Sequence, residues 1–276
     1  MDFVEIDINC QENLKDILTA ELCQLGYESF LETDKGFRAY QPLKNHNPAF
    51  LSDVLERYAL STSFKSKKLT DRTWNELWEK TFEPIEIDTR CRIRASFHES
   101  VPDFLFEIII DPKMAFGTGH HETTRQVIRF QLELDHSGKS VLDVGCGTGV
   151  LSIMAELKGA KAIQAIDCDP YAISNTVENR VLNGCHKINV KEGTIEDISP
   201  DSRFDLILAN INRNVLLNEI DLYNKHLVEG GKLILSGFYT FDLPVIVKKC
   251  EDLSLMIENE SVENQWACVM LTKIRA

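Results

Sequence analysis

The side chains best placed to do chemistry follow three apolar runs in the second half of the chain. Asp143 lies in VLDVGCGTG, Asp167 ends KAIQAID and Asn210 ends FDLILAN. Polar residues at the carboxyl ends of neighbouring parallel strands meet at one crevice, where small ligands bind. Carboxylates accept hydrogen bonds from hydroxyl and ammonium groups, and an amide oxygen accepts from an amine. The pattern therefore predicts a crevice for a ligand that carries hydroxyl and ammonium groups.

The glycine turn after the first run separates two classes of nucleotide ligand. Gly145, Gly147 and Gly149 have a G-x-G-x-G spacing. A dinucleotide fingerprint is G-x-G-x-x-G, and Val150 occupies the position of its third glycine. The tighter turn beside Asp143 favours the amino-acid tail of a zwitterion over a pyrophosphate. We expect Asp143 to accept from the ligand's ammonium, directly or through water. At Gly145 and Gly147 a Cβ would collide with the ligand. The predicted ligand is S-adenosylmethionine.

Residues at the ends of the next three predicted strands are assigned to different parts of the ligand and the substrate. Asp167 lies 22 residues after Gly145. An acid at about this spacing accepts from the paired ribose hydroxyls, and the alternative is a plain capping role. Thr194 and Ile195 are placed beside the adenine by position alone. The carbonyl oxygen of Asn210 can accept from a target amine and orient its lone pair, and the alternative is a structural asparagine that satisfies loop backbone. No N-P-P-[YF] motif follows, which disfavours a nucleobase or planar amide as the methyl acceptor.

The loop AFGTGHHETTR precedes this core and supplies further candidates. Thr123 and Thr124 can donate hydrogen bonds to a ligand carboxylate. Phe116 can close over the methionine part of the ligand or over the target chain. A metal site in the H-H-E run at 120–122 is disfavoured because the H-E-x-x-H spacing is absent. We therefore predict no metal.

Charge and composition restrict the partners and the compartment. The chain has 43 acidic and 30 basic residues, a net charge of −13. A free-standing nucleic-acid binder usually shows a basic footprint, so we expect no direct nucleic-acid binding and a cationic partner such as a basic protein. The alternative is that the acidity only aids solubility. Eight cysteines without C-x-x-C, no signal-peptide pattern at the N-terminus and no apolar run of ~20 residues predict a reduced, cytoplasmic protein that does not enter the membrane.

The elements that must position these residues fall into two parts with a connection between them. Residues 1–69 have the order β-α-β-β-α-β, which predicts a ferredoxin-like domain that recognises a partner or is structural. Residues 70–81 predict a linker helix with Trp74 and Trp78 on one side, which grips a partner or pins the linker to a domain. From residue 124 onward strands and helices alternate, as in a doubly wound α/β sheet.

These motifs together resemble those of a known family. The run AFGTGHHETTR, followed by VLDVGCGTG, AIDCDP and LANI, is similar to the bacterial ribosomal protein L-eleven methyltransferases of the PrmA type. The resemblance implies a Rossmann-like, seven-stranded class I methyltransferase domain over 82–276, behind a ferredoxin-like substrate-recognition domain over 1–69. It implies S-adenosylmethionine as cofactor. The implied reaction is methylation of lysine side chains and of the N-terminal amine of one large-subunit ribosomal protein.

The resemblance also assigns residues by position. Cofactor contacts are implied at Thr124, Gly145, Asp167 and Asn210. Asn210, Phe116 and His121 are the implied catalytic residues, with the latter two lining the site. Lys113 departs from the pattern, since relatives are expected to have glycine there, which affects the shape of that turn. Two other functions remain open: an RNA or small-molecule methyltransferase on the same fold, and a non-catalytic adaptor that binds a ribosomal protein.

Overall fold

The computed structural model of the protein describes residues 3–27, 29–33, 35–58, 60, 64–69, 83–111 and 117–274. The chain divides into two compact units, residues 1–83 and 84–276. The predicted linker helix with Trp74 and Trp78 lies outside the described residues, as do Lys113 and Phe116. Of the helices within the described ranges, none is both long enough and apolar enough to cross a membrane.

The first unit is a four-stranded antiparallel sheet with two helices. Its elements are β1 (Phe3–Asn9), α1 (Glu12–Gln24), β2 (Ser29–Thr33), β3 (Gly36–Pro42), α2 (Pro48–Arg57) and β4 (Phe64–Leu69). The alternation in β1 buries Val4, Ile6 and Ile8 in one core with residues of both helices. The sheet order β2-β3-β1-β4 confirms the predicted ferredoxin-like arrangement.

The second unit contains a small sheet and a large one. The small sheet has the order β5-β6-β7, with β5 (Ile85–Ile87), β6 (Cys91–Arg94) and β7 (Phe106–Ile109). The following elements are α3 (Glu122–Glu133), β8 (Ser140–Val144), α4 (Val150–Leu157), β9 (Ala162–Asp167), α5 (Pro170–Leu182), β10 (Ile188–Glu192), β11 (Phe204–Asn210), α6 (Arg213–His226), β12 (Leu227–Tyr239), α7 (Leu243–Glu251), β13 (Leu255–Glu263) and β14 (Trp266–Lys273).

The large sheet has seven strands in the order β10-β9-β8-β11-β12-β14-β13. The first five are parallel, and β14 runs antiparallel to both β12 and β13. Strands β9 and β11 flank β8, so the order of the parallel strands reverses there, and ligands of open α/β sheets bind at such a switch point. The predicted doubly wound, seven-stranded sheet is confirmed.

Both faces of this sheet are covered, which explains why its strands read as continuous apolar runs. Val141 and Leu142 are neighbours in β8 but belong to different cores. Val141 packs in the core that includes residues of α3 and α4, whereas Leu142 packs in the core that includes residues of α6 and α7. The sheet is thus a rigid platform whose carboxyl edge positions the polar residues.

Candidate active site

A cavity of about 560 Å³ lies at the carboxyl ends of β8, β9, β10 and β11, a size that suits a small-molecule ligand. The structure brings most of the sequence-predicted residues together in its wall. These are His121, Thr123, Thr124, Gly145, Gly147, Asp167, Thr194, Ile195 and Asn210. Asp143 is not among the lining residues. Trp266 and Glu219 line the cavity and were not predicted as site residues.

The glycine turn adopts a backbone conformation that favours glycine at each of its three positions. The φ angles of Gly145, Gly147 and Gly149 are 68°, 56° and 81°. A Cβ on Gly145 would lie 2.3 Å from Cγ2 of Ile211. The protein itself therefore requires glycine at 145, because the turn packs on the residue after Asn210. The predicted close approach of this backbone to a ligand remains a prediction.

Asp167 is held at the tip of β9 by two backbone groups. Its Oδ2 accepts a hydrogen bond from Gly147 N at 2.9 Å, and its Oδ1 accepts from Asp169 N at 3.0 Å. Each carboxylate oxygen keeps a second lone pair that can accept from a ligand hydroxyl. The helix cap of α5 is supplied by Asp169, whose side chain accepts from Tyr171 N. Capping therefore does not explain Asp167, and its acceptors remain available at the cavity wall.

Asp143 lies behind the glycine turn, fully buried at 0 % exposure. Its Oδ2 accepts from Ser152 Oγ at 2.6 Å, and its buried Oδ1 has no hydrogen-bond partner among the described residues. Burial raises the pKa of the Asp143 carboxyl to about 7, the Ser152 hydrogen bond opposes this rise, and the charge of Asp167 adds to it. The predicted direct contact with a ligand ammonium is corrected, because the cavity wall at this point is formed by Val144 and Gly145.

Asn210 presents a hydrogen-bond acceptor that no described residue of the chain uses. Its Nδ2 donates to Thr124 Oγ1 at 3.4 Å, whereas its buried Oδ1 has no partner among the described residues. Thr124 is itself fully buried in the first turn of α3. The structural alternative for Asn210 is not supported, because Asn212 caps α6 by accepting from Val215 N at 3.2 Å. A buried polar atom without a partner is costly, so Asn210 Oδ1 indicates a ligand that donates to it.

His121 is the N-cap of α3 and is held in its neutral form. Its Nδ1 accepts from Thr123 N at 3.3 Å and lies 2.8 Å from Thr123 Oγ1. The pKa of His121 is lowered chiefly by burial, with Glu122 raising it and Arg125 lowering it. An accepting Nδ1 places the ring proton on Nε2. The hydroxyl proton of Thr123 is then used by His121, so the predicted donation from Thr123 to a ligand carboxylate is corrected, and Thr124 is left as the candidate donor.

Three rings, those of Trp266, Tyr239 and His121, form an aromatic wall, and two of them, Trp266 and His121, line the cavity. Trp266 stacks on Tyr239 with ring centroids 4.0 Å apart and contacts His121 edge-on at 4.7 Å. The antiparallel register of β12 and β14 pairs Tyr239 with Trp266. The apolar run over 266–271 is typical of a strand, but nothing in the sequence indicates that an antiparallel return brings Trp266 to the edge where the parallel strands end. Within the described residues, no group of three or more His, Cys, Asp or Glu side chains could hold a metal ion.

The fold and the site together define a class of protein. A seven-stranded sheet with an antiparallel strand pair at one end, a glycine turn after the first strand of its parallel core and an acid at the tip of the second are the features of the class I methyltransferases. The methyl donor of this class is S-adenosylmethionine. The residues present fit it, since the cavity offers a carboxylate with open lone pairs at Asp167 and an unpartnered acceptor at Asn210.

The chain belongs to the family described as "Ribosomal protein L11 methyltransferase (PrmA)", whose model matches residues 15–274. The ribosomal protein L11 methyltransferase of Porphyromonas gingivalis is 43% identical over 265 residues, which cover 95% of this chain and 91% of that protein. That of Phocaeicola vulgatus is 39% identical over 276 residues, 98% of each chain. The family resemblance of the sequence motifs is thereby confirmed.

Solved structures agree with this family. The ribosomal protein L11 methylase of Lactobacillus delbrueckii subsp. bulgaricus matches with a TM-score of 0.64 at 29% identity, over 70% of this chain and 100% of that chain. A methyltransferase of Pyrococcus furiosus matches with a TM-score of 0.51 at 17% identity, over 61% of this chain and 90% of that one. The second likeness concerns the fold alone.

Proposed function

We propose that this protein transfers methyl groups from S-adenosylmethionine to amino groups of ribosomal protein L11, both lysine side chains and the N-terminal amine. The names of its relatives supply the protein substrate. The observation that carries the amine specificity is the buried, unpartnered Oδ1 of Asn210 in the cavity wall. An amine can donate to this oxygen, whereas a group without an N–H or O–H would leave it unsatisfied.

Different residues of the cavity bind different parts of the cofactor. Asp167 accepts from the two ribose hydroxyls, and the turn from Gly145 to Gly147 together with Thr124 binds the amino-acid end. Thr194 and Ile195 pack beside the base, since they line the cavity at the end of β10, next to the strand that carries Asp167. When bound, the cofactor supplies an electrophilic methyl group.

The protein's own residues prepare the acceptor amine. A lysine amine has a pKa of ~10.4, so its neutral form costs on the order of 4 to 5 kcal/mol at pH 7. The rings of Trp266 and His121 line the same cavity as Asn210, and an amine that enters this cavity loses contact with water, which lowers its pKa. His121 Nδ1 is occupied by Thr123 and is therefore not the base. The proton leaves to water, and Asn210, fixed by Thr124, orients the nitrogen lone pair.

The substrate is captured outside the cavity. Every described lining residue belongs to the second unit, which leaves the ferredoxin-like unit free to recognise the protein substrate. The net charge of −13 favours a basic ribosomal protein over direct binding of nucleic acid. We place the protein in the cytoplasm, where ribosomal proteins are made.

Intact-mass analysis tests the proposal. Purified L11 is incubated with the protein and S-adenosylmethionine, and the expected result is a mass increase in methyl-sized steps, at a rate that Asn210→Ala lowers about a hundredfold or more. Methylation of free ribosomal RNA in a parallel reaction, with L11 unchanged, would support the RNA methyltransferase instead. Binding of L11 without any mass increase would support the adaptor.

A further inference from the structure

One acid in the cavity wall has no role in the proposed function. Asn212, Val215 and Glu219 follow one another along the cavity side of α6, at the spacing of one helix face. Helix α6 packs against the short 3-10 helix Ile195–Asp197, which follows β10. Glu219 therefore approaches the cavity from the side where Thr194 and Ile195 line it.

A buried tyrosine holds this carboxylate in place. Tyr223, one helical turn after Glu219, is fully buried and donates its hydroxyl proton to Glu219 Oε2 at 2.5 Å. Burial, the hydrogen bond and the charge of Glu219 all raise the pKa of the Tyr223 phenol, which keeps it a donor. Among the described residues Glu219 Oε1 has no comparable hydrogen bond, so one oxygen is anchored and the other can meet a ligand.

The position of Glu219 corresponds to one end of a nucleoside. Three acids line the cavity within the described residues: Asp167, Asp169 and Glu219. Asp169 caps α5 and Asp167 faces the ribose position. In the order β10-β9-β8 the base lies beyond the ribose, toward the turn after β10. A carboxylate there meets the edge of the base.

We propose that Glu219 selects the base of the cofactor by accepting a hydrogen bond from the exocyclic 6-amino group of adenine. This inference rests on the proposed function. A 6-amino base donates to the carboxylate from its 6-position, whereas a 6-oxo base presents an acceptor to an acceptor at that position and carries its N–H on N1 instead. Sites that hydrogen-bond a polar group reject an analogue that lacks it much more strongly than apolar pockets do.

Calorimetry with two ligands tests the role of Glu219. The probes are S-adenosylhomocysteine and its deaminated analogue S-inosylhomocysteine, which differ at the 6-position of the base, amino against oxo, and in the proton that the 6-oxo base carries on N1. The protein with Glu219 should bind the adenine compound at least about tenfold more tightly, as expected for a hydrogen bond to a charged group. In Glu219→Gln the amide oxygen can still accept from Tyr223, which turns the NH₂ group toward the base. The preference should then disappear or reverse in favour of the 6-oxo compound.

Two controls distinguish a role of Glu219 in selecting the base from a purely structural role in helix α6. Asn218→Gln changes an exposed neighbour on α6 and should leave the ratio of the two affinities unaltered. An unchanged ratio of the two affinities in Glu219→Gln would mean that Glu219 only accepts from Tyr223, a role that the glutamine retains, and the inference would fall while the proposed function stands. Binding of neither compound to the unmodified protein would instead overturn the proposed function, and this inference with it.

Discussion

Asp167 Oδ2 accepts a hydrogen bond from Gly147 N at 2.9 Å, which joins the tip of β9 to the glycine turn that follows β8. The main chain of the same region reinforces the link, because Gly145 N and Cys146 N both donate to Ile166 O, at 2.9 and 3.0 Å. The acid that is proposed to hold the ribose thus also fixes the turn proposed to hold the amino-acid end. The two halves of the cofactor site are one hydrogen-bonded unit.

Replacement of Asp167 should therefore weaken cofactor binding more than the loss of one acceptor would suggest. We expect Asp167→Ala to raise the dissociation constant of S-adenosylhomocysteine by about tenfold to a hundredfold. Two charge-assisted hydrogen bonds to the ribose hydroxyls are lost, and the glycine turn loses the acceptor that holds Gly147 N. Isothermal calorimetry measures this change. Asp201→Ala, which alters an exposed acid in a turn, serves as the control. Unchanged binding in Asp167→Ala would reject the ribose assignment.

Asn210 should affect turnover more than cofactor affinity, whereas Thr124, which is also proposed to bind the amino-acid end of the cofactor, should affect both. Asn210→Ala removes the acceptor that orients the amine, and we expect kcat to fall about a hundredfold or more. Thr124→Val keeps the side-chain shape but removes the oxygen that accepts from Asn210 Nδ2, so the amide can rotate and kcat should fall about tenfold.

Steady-state kinetics with L11, combined with calorimetry of S-adenosylhomocysteine, distinguishes these effects. The dissociation constant of the nucleoside should change much less than kcat in Asn210→Ala. Full activity of this variant would contradict the role of the amide oxygen. Full activity of Thr124→Val alone would show that other contacts orient Asn210.

The strand and helix pattern was predictable wherever burial imposes a period on the sequence. β1 alternates because one face packs on the helices, and β8 and β11 are continuously apolar because both faces are covered. β13, Leu255–Glu263, was not predicted, since most of its residues are exposed at the sheet edge and read as a polar segment. The local sequence pattern therefore predicts the buried strands but not the exposed edge strand.

The site was predictable where a residue lies at the end of its own strand. Asp167 and Asn210 are of this kind, and the structure places both in the cavity wall. Trp266 and Glu219 reach the same cavity from an antiparallel strand and from the second turn of a helix, and no local motif marks them. Asp143 is the opposite case, a residue that was predicted to contact the ligand and does not line the cavity. Adjacent residues of a strand face opposite ways, and the side chain of Asp143 is buried against Ser152.

The packing of the glycine turn on Ile211 can be tested by a double-mutant cycle. Gly145→Ala should destabilise the fold by on the order of 3 kcal/mol, because a residue with φ near 68° is strained and its Cβ would lie 2.3 Å from Ile211 Cγ2. Ile211→Ala removes that methyl group. The double variant should be more stable than the sum of the single effects predicts, by about 1 kcal/mol or more. Urea denaturation measures all three, and simple additivity would show that the contact is not the cause.

The buried carboxyl of Asp143 should make stability fall as the pH rises. Its pKa is about 7 in the folded protein against an ordinary value of 3.8 for an aspartate carboxyl. Between these values the unfolded chain has lost the proton that the folded protein keeps, so the free energy of unfolding decreases with pH. The contribution is fully present below pH 3.8, is lost as the pH rises through about 7, and levels off above that. Its full range is up to about 4 kcal/mol.

Asp143→Asn is the matched variant, since it keeps the shape and cannot ionise. Denaturation of both proteins is measured from pH 5 to pH 8.5. The stability of Asp143→Asn relative to the unmodified protein should increase up to about pH 7 and stay constant above it. The reason is that only the carboxylate form of residue 143 is destabilised by burial at this site. Ser152→Ala should extend the dependence to higher pH, because the Ser152 hydroxyl stabilises the charged form of Asp143 and its loss raises the pKa of that carboxyl further. Parallel stability curves for Asp143→Asn and the unmodified protein would show that Asp143 is already ionised below pH 5.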